Sequence, residues 1–274
     1  MQFDMTRAWN DAVARISANR EVLLIVAGLF FFLPYVVFML MLPGAAAMIP
    51  SGGATDPQEA SRILLSFYGK IWWIVLLLLV AQSIGTLALF SLLTDHRRPT
   101  VGDALKFGLI ALLPFLGMQI LQSLVLVFAL GIPLGAAIAS QSTAAIVLVA
   151  TAAIVAMAYL LTKFSLGTAV MAREHVLNPV AALTRSWKLT KGNSLRIFLF
   201  YFLLGVVAVV VSMVVSTVVS LVLMLLGTQA MLFGSALVSG LTNAVWVLLF
   251  LAVQAAIHGQ LAGESPTSLN DTFS

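Results

Sequence analysis

Three histidines and ten acidic side chains supply the familiar acid–base chemistry of this 274-residue sequence. His96, His175 and His258 all fall at the ends of long apolar runs, and Asp95 and Glu174 immediately precede the first two. A histidine–carboxylate set of that kind can hold a divalent metal. Asp95, Glu174 and Glu264 together could serve a phosphodiester hydrolase. Nothing in the spacing fixes their distances, however. No nucleophile–base pairing, P-loop or glycine-rich phosphate cradle accompanies them. The absence of cysteine removes thiol catalysis, Cys-ligated metals and disulfides. The sequence therefore assigns no catalytic residue, no metal and no cofactor.

Uncharged polar residues inside the apolar runs are more suggestive. Gln119, Gln122 and Ser123 share one helical face at i, i+3 and i+4, and Ser212, Ser216 and Ser220 form an i, i+4, i+8 row. Asn243 and Gln254 lie eleven apart, three turns, with His258 one turn further. These eight, the histidine aside, are candidates for a polar cavity. The competing role is helix–helix adhesion, in which such side chains satisfy one another or the backbone while small residues let helices approach. Lys163 stands at the end of a run, where its stem can snorkel to the interface. No acid lies within a run, which argues against a proton-driven carrier but not against transport of a neutral or lipidic substrate.

The elements that position these residues are membrane spans. Apolar residues make up 61% of the chain and charged residues 9%, so water cannot cover most of its surface. Cytosolic enzymes, secreted disulfide scaffolds and nucleic-acid-binding domains are excluded as classes. Residues 107–162 and 197–257 contain no Asp, Glu, Lys, Arg or His, and each is long enough for two spans with a turn. Six spans follow, at about 22–42, 71–93, 109–133, 144–165, 195–226 and 233–257. The turns fall at Ser140–Thr143 and Gly227–Gln229, with Gly131 and Pro133 loosening the end of the third span. The first run, though followed by Ala45-Ala46-Ala47, is too long for a signal peptide and reads as a retained span. Residues 1–262 form one polytopic domain, and 263–274 a disordered tail. With both termini cytoplasmic, twelve of the fourteen lysines and arginines lie inside, leaving Arg62 and Lys70 in the loop after the first span.

Before each odd-numbered span lies a short amphipathic stretch suited to the headgroup plane. Trp9, Val13 and Ile16 mark the first apolar stripe; Val101, Ala104 and Leu105 the second; Val180, Leu183, Trp187 and Thr190 the third. The chain thus reads as all-α, three copies of interfacial helix plus transmembrane hairpin, with a period of roughly 80–95 residues. The third stretch presents Arg185, Lys188 and Lys191 away from its stripe, with Arg196 just beyond. Val180, Leu183, Arg185, Trp187, Lys188, Lys191 and Arg196 are accordingly the expected lipid- or partner-binding set. Membrane lipids are the expected partners, alongside other membrane proteins or a second copy, and nucleic acid is not among them.

Asn178-Pro179, Ala182-Leu183, Arg185-Ser186-Trp187 and Leu189-Thr190-Lys191-Gly192, with the earlier Arg98-Pro99-Thr100-Val101-Gly102-Asp103-Ala104-Leu105, carry a resemblance. They resemble the six-helix membrane domain fused ahead of some bacterial glycerophosphodiester phosphodiesterases, and a related family of stand-alone bacterial inner-membrane proteins of unassigned function. The resemblance implies a multi-pass inner-membrane protein. It does not carry catalysis, since the phosphodiesterase is a soluble barrel for which this sequence leaves no room. The expectation is a non-catalytic scaffold or lipid- and protein-interacting domain. A permease for a neutral or lipidic substrate and a lipid-modifying enzyme at the cytoplasmic interface are the alternatives.

Overall fold

The computed structural model describes residues 2–46, 57–94 and 100–263, all helices, turns and short links, with no strand among them. Six helices are long and apolar enough to cross a membrane: Arg20–Met41, Leu65–Thr94, Leu112–Ala139, Thr143–Arg173, Ser194–Leu225 and Thr228–Leu261. The chain is an all-α, multi-pass membrane protein.

Three short helices precede the odd-numbered spans: α1 (Met5–Ala18), α5 (Val101–Ile110) and α10 (Pro179–Leu189). Each starts the same way. Asp4, Thr100 and Asn178 take extended backbone, and their side chains accept from N–H groups of the first turn. At Thr100 the device is reciprocal, because Asp103 reaches back to the Thr100 N–H.

Span one is α2 (Arg20–Ala27), a wide π turn at Gly28–Phe32, and α3 (Leu33–Ala46). Span three repeats that plan as α6 (Leu112–Leu126), a π turn at Val127–Gly131 and α7 (Ile132–Ala139). Both π turns end two residues before a proline, Pro34 or Pro133. Proline lacks the N–H that would bond back one turn, and its ring would strike the carbonyl there; a wide turn relieves both problems. At the first, the Leu33 N–H reaches five residues back to the Gly28 carbonyl. Span three therefore continues to Ala139, where the sequence suggested an end near Gly131 and Pro133.

The even spans are α4 (Pro57–Thr94), α8 (Thr143–Phe164) extended by α9 (Gly167–Arg173), and α12 (Thr228–Leu261); span five is α11 (Ser194–Leu225). At 38 residues, α4 is about 57 Å long and must project beyond a hydrocarbon core of about 30 Å. Arg62 and Lys70 thus sit on helix and not in a loop as expected. Much of the expected outer loop, residues 47–56, lies outside the described residues, as do 95–99 and the tail 264–274.

The three units close into a ring. Each short helix packs on the last span of the unit before it: α5 on α4, α10 on α8 and α9, and α1 on α12. The contacts use small residues four apart. Ala8 and Ala12, Ala104 and Gly108, and Ala182 and Ser186 are each buried. Small side chains let helix backbones approach closely. Of the expected membrane-facing stripes, Trp9, Val13 and Val180 are exposed, whereas Ala104, Leu183 and Thr190 are buried in protein, which corrects the expectation for those three. The core sits at this end, around α12 from Leu248 to Gly259, with Leu23, Phe90, Leu93 and Leu166 packed near it.

Candidate functional site

The end of the bundle that carries the short helices also carries Arg7, Arg15, Lys106, Arg173, Lys188 and Lys191. Its polar centre forms where α9 stops. Glu174 follows Arg173, and its carboxylate accepts from Arg185 Nε at 3.1 and 3.2 Å. The same carboxylate lies 3.1 Å from Nε2 of His258, whose side chain is 1% exposed. One acid thereby joins α9, α10 and α12. Sequence adjacency suggested Glu174 with His175, but His175 turns away with φ of 51° and packs edge-on to Phe107 at 5.5 Å. Among the described residues no group of three or more metal-ligating side chains forms. His96 and Asp95 lie outside them, as does Glu264.

Gly259 makes room beside this cluster. A Cβ there would stand 3.2 Å from Arg173 Nη1 and 3.3 Å from Arg15 Nη2. Arg15 also donates from Nη1 to the Leu93 carbonyl at 2.6 Å, tying α1 to the end of α4. Burial pushes the Arg15 guanidinium below its ordinary range, an effect opposed by nearby Asp11.

Lys163 does not snorkel as expected. Its side chain is 3% exposed, and the ammonium lies 5.5 Å from the Tyr159 ring centroid and 5.3 Å from that of Trp187. The reason is α10, which folds across the end of α8 and brings Trp187 over the lysine. Ser186 secures the crossing, donating to the Lys163 carbonyl at 2.7 Å and accepting from the Leu166 N–H at 3.2 Å. Trp187 is therefore half committed to protein, and Leu183 is buried against α6 and α9, with Met118 and Val170 in the same cluster. Of the expected lipid- or partner-binding set, Val180, Lys188, Lys191 and Arg196 remain exposed, and Arg185 is exposed but held by Glu174.

The expected polar-cavity residues do not share one cavity. Gln119 lines a crevice of about 430 Å³ between α3, α4 and α6. It is joined there by Tyr35, Gln82, Ser83 and Thr86, none of which the sequence reading selected. Ser83 returns its hydroxyl to the Leu79 carbonyl. The two glutamine amides have no hydrogen-bond partner among the described residues. Gln122 is half-buried and Ser123 exposed on the same helix, outside the crevice lining. Ser212 accepts from Trp246 Nε1 at 2.9 Å and so joins α11 to α12. Ser216 is exposed, Ser220 and Asn243 are half-buried, and Gln254 is enclosed in the core.

No protein family, curated protein or solved structure matches this chain.

Proposed function

We propose that the protein is a non-catalytic domain of the bacterial inner membrane, with both termini cytoplasmic, whose basic end binds anionic lipid headgroups. The observation that carries this reading is the placement of Lys188 and Lys191. Lys188 stands exposed on α10 and Lys191 in the turn that follows it, while the opposite face of α10 is fixed to α6 and α9 by Ala182 and Leu183 and to the link between α8 and α9 by Ser186. One charge is thus presented on a packed helix, and the other on a short turn tied back to it by the Lys191 N–H donating to the Lys188 carbonyl at 3.2 Å. A base close to an anionic surface contributes roughly 1 kcal/mol before salt screening. With Arg196, three bases supply about 3 kcal/mol, enough to select lipids though unnecessary for anchoring a six-span protein. The likeness of residues 178–198 to the membrane domain set ahead of glycerophosphodiester phosphodiesterases fits a lipid-facing role.

The test is the double substitution Lys188→Gln and Lys191→Gln. Lipids co-purified in mild detergent should lose anionic species relative to wild type, most clearly at low salt, while reporter fusions still place residue 185 in the cytoplasm. Unchanged lipid content would overturn the role of these two lysines.

One observation favours a second reading, a permease for a neutral solute: the unpartnered Gln82 and Gln119 amides in the crevice. The chain has no cysteine, so single cysteines at 82 and 119 can be probed directly. Labelling by a membrane-impermeant thiol reagent from both sides would support that reading, and labelling from neither side would remove it.

A further inference from the structure

A groove of about 450 Å³ opens beneath α1, between α11 and α12. Met5 and Trp9 of α1 roof it, Leu203 and Val207 form one wall, and Trp246 and Leu249 form the other. Its polar lining is slight. Thr6 contributes a hydroxyl, and the Trp246 indole N–H is already donated to Ser212. Nothing here asks for a polar ligand, so the occupant is hydrocarbon.

The lined stretch of the groove runs from Phe200 to Val207 on α11, about 10 Å, room for part of an acyl chain. It begins under a helix at the basic end. Val207 lies 13 residues along α11 from Ser194, and Trp246 lies 15 residues before Leu261 on the antiparallel α12. At 1.5 Å per residue both points are about 20 Å below that end. This is more than half of a hydrocarbon core and less than a full span.

Its mouth is positive. Arg196, Phe200, Leu203 and Val207 follow i, i+4, i+7 and i+11 and therefore lie along one face of α11. Arg196 is exposed, and its Nη1 donates to a neutral partner, Oε1 of Gln2, at 3.3 Å. Among the described residues no carboxylate pairs with it. Beside it, Asn193 gives its side-chain oxygen to the Phe3 N–H and so leaves α11 without a side-chain cap. The positive end of the helix dipole adds to the guanidinium charge.

We infer that this groove holds part of one acyl chain of an anionic phospholipid whose phosphate is bound by Arg196. The inference rests on the lipid-binding reading above and specifies a single, stoichiometric site for it. Arginine suits this role because its planar fork matches two phosphate oxygens.

The experiment uses the full chain, stripped of lipid in detergent and then offered phosphatidylglycerol or phosphatidylcholine, with bound lipid counted by native mass spectrometry. Wild type should retain one phosphatidylglycerol per chain and prefer it to phosphatidylcholine about tenfold. Arg196→Gln should keep a lipid but lose the preference. Val207→Trp, at a position 45% exposed and so tolerant of bulk, should fill the groove and lose both lipids. The Lys188/Lys191 double variant should keep the single tight lipid. If wild type retains no anionic lipid, the lipid-binding reading itself fails. If anionic lipid persists unchanged in Val207→Trp, that reading stands and the groove assignment is wrong. If Val207→Trp instead abolishes a dimer while lipid binding is unaltered, the groove is an interface between copies.

Discussion

Span five is the more apolar of the last hairpin, with mean hydropathy 2.8 against 2.1 for span six, yet it is the less enclosed. In α11 burial stops at Leu204, and the following residues to Leu225 stay open or half-covered. In α12 every residue from Leu251 to Gly259 is buried. The same division runs across the bundle. α8 has no buried residue before Thr162, whereas α4 is buried continuously from Leu87 to Phe90. The basic end is a packed root and the opposite half a more open crown. Because lipid tails are as apolar as leucine, hydropathy records contact with lipid, and small residues record contact with protein. Span five is rich in Val and Leu; the buried part of span six contains Ala252, Ala255, Ala256 and Gly259.

The comparison is tested most strongly by phenylalanine deletion. Phe90 is fully buried in the root and Phe202 is 60% exposed. Phe90→Ala should cost about 2–4 kcal/mol, chiefly as an unfilled cavity, and Phe202→Ala under about 1 kcal/mol. Thermal unfolding in detergent would measure both, and equal losses would erase the distinction.

Glycine replacements sharpen it. A Cβ on Gly108 would meet the Ile84 carbonyl oxygen at 2.9 Å, backbone that cannot move alone, while Gly205 has nothing within 4 Å. Gly108→Ala should destabilise by about 1–3 kcal/mol. Gly205→Ala should stabilise by up to about 1 kcal/mol through helix propensity. A stabilising Gly108→Ala would contradict the close packing of α5 on α4.

Glu174→Gln should cost about 1 kcal/mol, since it weakens both the partly exposed Arg185 pair and the His258 contact. The neighbouring Lys188→Gln should stay within about 0.5 kcal/mol in the same unfolding assay. A loss as large at Lys188 would mean that Lys188 is structural.

The smallest effect is electrostatic. The Thr100 hydroxyl and backbone N–H hold the Asp103 carboxyl below the usual carboxylate range. A depressed acid stabilises the fold above its unfolded pKa, and that contribution disappears as pH falls through the lower folded value. In acid unfolding scans, Asp103→Asn should reduce stability at neutral pH and flatten this dependence. An unaltered profile would show that the α5 cap does not contribute.

Much of the fold was legible because it is written in charge spacing and run length. The six spans follow from uncharged runs such as 107–162 and 197–257, whereas the caps Thr100 and Asn178 were not picked out. What the sequence reading missed was the packing face of the short helices. It assigned large apolar residues such as Trp9 and Val180 to a face suited to the headgroup plane, and their exposure leaves them free for it, but it did not pick out the smaller residues that meet protein. The signal that would have found the contact is the small pair four apart, Ala8 with Ala12 or Ala182 with Ser186. Lys163 was misread because snorkelling assumes water at the helix end, and nothing in the local sequence shows that Trp187 returns over it. The crevice stayed hidden since Gln82 and Gln119 belong to different units, and only tertiary packing brings them together.

The closed ring of units also governs the order in which the molecule can be assembled. The Phe3 N–H is bonded to Asn193, 190 positions later, and the backbone of Asp4 meets the side-chain amide of Gln260, 256 positions later. α1 is synthesised before α12, so its resting place does not exist until every helix between them has been made. α1 therefore cannot be locked until α12 is in place. Until then its small-residue face, Ala8 and Ala12, lacks the partner that completes it, and the closing contact is one of very long sequence separation.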